Sequence, residues 1–560
     1  MKIFLAQQNY HIGNFEKNLD KIIEAITVAK KEKADLIVFS EMSICGYPAK
    51  DFLDFKDFID KCFDSIQKIK QHADTIGVIV GSPDINPVRE GKDLFNAAFF
   101  LYEKEIKAVA HKTCLPTYDV FDENRYFESA FTWNVIEFKG KRIALTVCED
   151  IWNLGDNPLY RICPMDILME QQPDVMINIS ASPFDYTHAD GRRATIKANV
   201  LKYKIPLIYC NAVGSQTEII FDGMSLCFDK EANLCHELSQ FNEELKEVNL
   251  NDDGTFEGAI IKPASEVKNV ITELLEFSPS LNIQQVYEAI VLGIKDYFTK
   301  MGFTKAIIGS SGGIDSAVTI ALACAALGKE NVRAVLMPSE YSSSHSISDA
   351  EQLSKTLGNP YDIIPIKNIF ESFLKELKPI FNDLPFSVAE ENIQSRTRGN
   401  LLMSIANKFD YILLNTSNKS ELATGYGTLY GDMAGGIGVL GDCYKQQVYE
   451  LAKYINREKE IIPENIITKA PSAELRPGQK DIDSLPPYDI LDEILYQYIE
   501  RVQGPHEIKL LGFDAALVDR ILKLVNRNEY KRNQFCPIIR ISPKAFGPGR
   551  RIPIVGNYLD

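Results

Sequence analysis

The 560-residue chain is short of the residues that mark several protein classes. Tryptophan occurs twice and histidine seven times, and no H-E-x-x-H pair is formed, which argues against a helix-borne zinc site. The 11 cysteines are scattered and never spaced as C-x-x-C. Neither a disulfide scaffold nor a zinc ribbon is therefore expected, and most thiols should be reduced packing residues. No apolar run approaches the ~18 residues that span a bilayer, and the opening MKIFLAQQNYHIGNFEK turns polar too soon for a signal peptide. A cytoplasmic protein with no membrane partner is expected. Positive charge is also scarce: 61 Lys and Arg stand against 77 Asp and Glu, a net charge of −16. General adhesion to nucleic acid is thus disfavoured, and any anionic substrate must meet local positive charge.

What is present is ordinary globular composition, 45% hydrophobic and 25% charged, and at roughly 150 residues per domain the length suggests two to four domains. Residues 1–250 alternate short β runs with amphipathic helices. KIFLAQ (2–7) reads as a strand, and Asn14 caps a helix with Phe15, Leu19, Ile22, Ile23 and Ile26 on one face. Further strands are expected at DLIVFSE, IGVIVGS, FNAAFFLY, IKAVAH, RIALTVC, DVMINIS and PLIYCNA, with hairpin turns at EKE and FKGK. Turn formers gather over 251–280, where a linker is expected. From 281 to 560 the rhythm becomes βαβ, with strands KAIIG, NVRAVLMP, YDIIPI and YILLNT. That alternation predicts an α/β domain with a doubly wound parallel sheet whose ligands sit at the carboxyl ends of the strands.

The sharpest motif follows strand KAIIG: Gly309, Ser310, Ser311, Gly312, Gly313, Ile314, Asp315 and Ser316. Glycines let backbone curl around an anion, and the helix that follows offers unpaired N–H groups to phosphate. The loop lacks the G-K-[ST] ending of a Walker A motif. It resembles instead the SGGxDS loop of ATP pyrophosphatases, which cleave ATP between the α and β phosphates. ENIQSRTRGNLLM (391–403), LLNTSNKSELATGYGTLYGDMAGG (413–436), PSAELRPGQKD (471–481) and NEYKR (528–532) are similar to the NAD⁺ synthetases within that family. The resemblance covers 282–555 and implies an adenine-nucleotide alpha-hydrolase-like fold. It also implies that Thr416, Lys445 and Ser472 contact ATP with the glycine loop, and that Asn392, Arg396, Glu421 and Lys531 contact deamido-NAD⁺. Asp315 and Glu421 would be the carboxylates for Mg²⁺, a hard cation suited to oxygen ligands. The segment KRNQFCPIIRISPKAFGPGRR (531–551) has six cationic and no acidic residues, and reads as a lid over polyanionic nucleotides.

In the first half, Glu41, Lys112 and Cys148 each stand at the end of an expected strand. Their settings, SEMSICGYPAKD, HKTCLPTYDVFDENRYF and CEDIW, resemble the nitrilase or carbon-nitrogen hydrolase family with its Glu-Lys-Cys triad and αββα sandwich. The chemistry suits these residue types: a thiolate attacks an amide carbon, a carboxylate moves the proton, and an ammonium steadies the oxyanion. The resemblance implies that Tyr118, Glu149 and Ser182 hold glutamine. Its relatives often carry Lys or Arg six residues after that serine. Here the position is His188, with Arg192 and Arg193 beyond, which leaves open which cation meets the α-carboxylate.

Together the two resemblances imply an enzyme that draws ammonia from glutamine and spends ATP to amidate deamido-NAD⁺. Small-molecule substrates, a homo-oligomeric assembly and an internal ammonia tunnel are part of what they imply. The rival expectations are an amidase joined to a different ATP-pyrophosphatase amidotransferase, and a non-enzymatic nucleotide-sensing module.

Overall fold

A computed structural model describes residues 1–154, 158–261, 276–382 and 384–559. The chain divides into two compact units, Met1–Glu273 and Leu274–Asp560. Of the linker expected over 251–280, residues 262–275 lie outside the described residues, whereas 250–261 fold onto the first unit through the Leu250–Phe256 bridge and an Ile261 N–H donated to the Leu234 carbonyl (2.8 Å).

In the first unit, two six-stranded sheets lie between helices. One runs Glu244–Asn249, Lys2–Gln7, Leu36–Phe39, Gly77–Ile85, Leu94–Tyr102, Glu105–His111; the other runs Leu234–Glu237, Leu226–Phe228, Leu207–Asn211, Val175–Ser180, Lys141–Val147, Ile136–Phe138. Alternation along a strand explains the layering. Ile3 and Leu5 point into the core between the sheets, with Val38, Ile79, Leu145 and Ile177. Phe4 and Ala6 point the other way, onto the Phe15–Lys31 and Lys56–His72 helices with Ile22, Ile26 and Ile66. The His188–Tyr203 helix covers the second sheet through Ile196 and Val200. Strands buried on both faces read as unbroken apolar runs, which is why their positions are visible in the sequence. Asn14 caps the first helix, its Oδ1 accepting from Lys17 N–H (3.3 Å).

The second unit holds a parallel five-stranded sheet in the order Tyr361–Ile363, Val332–Leu336, Ala306–Gly309, Ile412–Asn415, Ile437–Gly438. The chain passes from Ala306–Gly309 to Val332–Leu336 on one side and later returns to Ile412–Asn415 on the other. The carboxyl ends of these three strands therefore splay around a switch-point crevice.

Candidate functional site

The carboxyl ends of three strands in the first unit bring Glu41, Lys112 and Cys148 into one buried centre. Glu41 follows Leu36–Phe39, Lys112 follows Glu105–His111, and Cys148 opens a 3₁₀ turn, Cys148–Ile151. Lys112 Nζ donates to Glu41 Oε1 (2.9 Å) and to Glu123 Oε1 (2.7 Å). The second Glu41 oxygen accepts from Ala181 N–H (2.8 Å), and Asn96 Nδ2 donates to Glu41 Oε1 (2.6 Å). Gly81 makes room: a Cβ there would come within 2.3 Å of Met42 N and 2.8 Å of the Glu41 carbonyl carbon.

Burial opposes charge on Lys112, yet Glu123 and Glu41 push its ammonium well above the ordinary lysine range. Burial and then the Glu41 charge push the Cys148 thiol well up. A thiol so shifted stays protonated near neutral pH, and a thiol in that state can act as a nucleophile only with a base beside it.

Cys148 has a left-handed backbone, φ +45°, a strained conformation for a residue with a side chain. Asp150 holds it. The Asp150 carboxylate accepts from Val147 N–H (3.1 Å) and from the Thr113 and Cys114 N–H groups (2.9 Å each), tying the cysteine turn to the residues just after Lys112. Burial pushes the Asp150 carboxyl up to about 6. Sequence reasoning missed Glu123 and Asp150, because the contacts that set them apart include residues distant in the chain, Tyr47 for Glu123 and Thr113 and Cys114 for Asp150.

Around this centre, Tyr118 and Tyr160 hydroxyls donate to Glu149 Oε1 (2.9 and 3.2 Å), and burial pushes the Glu149 carboxyl up to about 7. Ser182 Oγ lies 3.0 Å from His188 Nε2, and the His188 ring stacks on Trp152 (centroids 5.1 Å apart), which closes the cysteine turn. Both arginines weighed for the α-carboxylate are ion-paired, though Arg192 Nη2 also reaches Ser182 Oγ (3.5 Å). Arg192 is buried against both oxygens of Asp222 (3.0 and 2.8 Å), and Arg193 pairs with Asp190 and Glu237.

In the second unit the crevice opens into a cavity of about 310 Å³ lined by Gly309, Ser310, Ser311, Gly313, Ile314, Asp315, Ser316, Thr416, Glu421, Lys445 and Ser472. Gly312 has φ +77°, and a Cβ there would meet the Ser346 carbonyl oxygen at 2.2 Å, so the loop depends on glycine at that position. The Ser310 hydroxyl is buried at the cavity edge with no hydrogen-bond partner among the described residues.

Lys445 Nζ bonds Asp315 Oδ2 (2.6 Å) and lies 3.8 Å from Glu421 Oε1, while Asn418 Nδ2 donates to Asp315 Oδ1 (2.8 Å). Burial, then the Asp315 charge, push the Glu421 carboxyl well up. Two hard carboxylates crowded beside a phosphate cradle fit Mg²⁺, which takes one or two carboxylates and completes its shell with phosphate oxygens and water. Among the described residues no group of three or more His, Cys, Asp or Glu forms a metal cage.

Asn392, Arg396 and Lys531 do not line the cavity. They gather on the turn at 425–429. Thr428 Oγ1 donates to Asn392 Oδ1 (2.7 Å), Arg396 Nε to the Leu429 carbonyl (3.2 Å), and Lys531 Nζ to the Gly425 and Gly427 carbonyls (2.7 and 2.9 Å). The lid expected over 531–551 is not what forms. Arg532 and Arg550 are buried on Glu529, Arg532 also bonds the Leu422 and Ala423 carbonyls, and Arg540 bonds the Ser542 and Pro543 carbonyls. The run is a structural clasp, because these guanidiniums satisfy helix-end and loop carbonyls.

Residues 2–254 match the carbon-nitrogen hydrolase family model and residues 286–535 match the NAD synthase model. Fold and sites thus define a carbon-nitrogen hydrolase unit joined to an NAD synthase unit. Glutamine-dependent NAD⁺ synthetases of Synechocystis sp. (43% identical, 99% of each chain) and Thermotoga maritima (40%, 100% of this chain and 99% of the relative) are similar over their whole length. A solved structure of the glutamine-dependent NAD⁺ synthetase from Acinetobacter baumannii in complex with adenosine diphosphate aligns with TM-score 0.77 at 36% identity, covering 99% of this chain and 98% of that one. The chain belongs to the family of glutamine-dependent NAD⁺ synthetases.

Proposed function

We propose that this chain makes NAD⁺ from deamido-NAD⁺, ATP and glutamine with the following residue roles. Glu41 takes the Cys148 proton as sulfur attacks the amide carbon of glutamine. Lys112 and a backbone N–H after the nucleophile steady the oxyanion. When the C–N bond breaks, Glu41 returns the proton to the departing ammonia, then activates water, which releases glutamate from the thioester. Glu149, with Tyr118, meets the α-ammonium, and Ser182 with His188 meets the α-carboxylate.

In the second unit a nicotinate carboxylate oxygen attacks the α-phosphorus of ATP and the bond to the β-phosphate oxygen breaks. Pyrophosphate leaves with the electron pair. Ammonia then attacks the acyl carbon, AMP leaves, and the surplus ammonia proton is lost. Asp315 and Glu421 would hold Mg²⁺ against the phosphates, where the ion supplies positive charge to their oxygens. The glycine loop with Thr416, Lys445 and Ser472 holds ATP, and Asn392, Arg396 and Lys531 shape the deamido-NAD⁺ side. The same reading has the protein work in the cytoplasm as a homo-oligomer, with residues 1–250 and 281–560 as its two catalytic domains.

What carries this reading is the presence in one chain of the buried Glu41–Lys112–Cys148 centre and the glycine-loop cavity. Cys148→Ala is expected to abolish NAD⁺ formation from glutamine and leave formation from ammonium intact, while Asp315→Ala stops both. Wild-type protein that makes no NAD⁺ from either nitrogen source would show that the acceptor is a different acid.

A further inference from the structure

The roles above leave five charged side chains of the cavity wall unused, the cations Arg398 and Lys469 and the carboxylates Asp432, Glu474 and Asp481. Three cations line the cavity, and among the described residues only Lys445 is ion-paired with a carboxylate. Lys469 Nζ donates to Ser346 Oγ (3.0 Å), and Arg398 Nε donates to the Met337 carbonyl (3.0 Å) at the end of Val332–Leu336. Burial depresses both, Arg398 to about 10. Both are half-buried, and their charges are offset by carboxylates that do not lock onto them, Asp432 and then Glu474 for Arg398 and Glu474 and then Asp349 for Lys469, so an entering anion finds two cations not held in an ion pair among the described residues.

Glu474 indicates where that anion belongs. Its carboxylate accepts from Ser346 Oγ (2.8 Å) and Ser343 N–H (3.2 Å), and both Lys469 and Arg398 feel its charge. Ser346 is the residue whose carbonyl presses on Gly312. The two cations therefore face a carboxylate carried by the chain itself, one residue away from the phosphate loop.

Resting on the reading above, we propose that Lys469 and Arg398 bind the β and γ phosphates of ATP and stabilise the departing pyrophosphate, and that Glu474 is a tethered anion which those phosphates displace. Negative charge builds on the β-phosphate oxygen as the bond to the α-phosphorus breaks. Cations that meet it there lower the barrier, and they hold free pyrophosphate afterwards.

The test uses the full chain and pyrophosphate with Mg²⁺ as the probe. Calorimetric binding of pyrophosphate and its inhibition of ammonium-dependent NAD⁺ synthesis are measured for Lys469→Met, Arg398→Met, Lys469→Arg and Glu474→Gln, with the thermal transition of the second unit as the folding control. For each Met variant we expect pyrophosphate to bind about tenfold or more weakly and kcat to fall about 100-fold, as for loss of one charge-stabilising donor. Lys469→Arg should recover part of both, and Glu474→Gln should bind pyrophosphate about tenfold more tightly. Unchanged pyrophosphate affinity in both Met variants would overturn the cation assignment. Weaker binding in Glu474→Gln would overturn the displaced-carboxylate half. Direct pyrophosphate binding does not depend on the acceptor acid, so wild type that binds pyrophosphate yet makes no NAD⁺ sinks only the broader reading.

Discussion

At the residue scale, the clearest quantity is the Glu149 carboxyl. Burial raises it to about 7 against the opposing pull of Lys112 and two tyrosine hydroxyls. A raised carboxyl is neutral below that pH and ionised above it, and only the ionised form attracts an α-ammonium. For glutamine hydrolysis, kcat/KM should fall about tenfold per pH unit below pH 7, because this ratio reports ionisations of the free enzyme. Glu149→Gln should lower kcat/KM throughout and lose that limb of the profile. A wild-type profile flat from pH 6 to 8 would refute the assignment. Glu41, Lys112 and Cys148 are visible in the sequence because each stands at or just past the end of a strand in a distinctive setting. Glu123 is not visible, because its contacts come from Tyr47, Asn96 and Lys112, and only the folded sheet brings these together.

At the scale of elements, the cysteine turn and its Asp150 anchor form one unit with the residues after Lys112. Asp150→Ala would leave three buried N–H groups without acceptors, at about 1–3 kcal/mol each, and would free the left-handed backbone of Cys148 to relax. Glutamine hydrolysis is expected to lose about 100-fold in kcat, the effect of a nucleophile misplaced by about an ångström. The melting temperature should fall with it, while ammonium-dependent synthesis at a permissive temperature persists. Full glutaminase activity in a destabilised Asp150→Ala protein would show that the anchor serves stability alone. Strand positions, the Asn14 cap and the glycine loop are all local signals and were legible. Sheet order was not, since Lys2–Gln7 pairs with Glu244–Asn249 from the far end of the unit. The basic run at 531–551 misled because charge in a sequence does not reveal whether a guanidinium faces a ligand or its own backbone carbonyls.

At the scale of the whole molecule, two units with separate apolar cores should report separately on ligands. Differential scanning calorimetry is expected to resolve two transitions. A non-hydrolysable ATP analogue at about 100 times its Kd adds about 2.7 kcal/mol to the unit that binds it, which raises one transition by roughly 5 °C and leaves the other in place. A single transition that moves as one would show that the units unfold together. The change from strand-rich to βαβ rhythm near residue 280 made two units legible, but no residue pattern states how firmly each holds together.

Cys148 is 4% exposed, Lys112 0% and Glu41 1%. A centre so secluded is expected to select by size, taking the free amino acid and refusing a glutamine side chain borne on a folded protein surface.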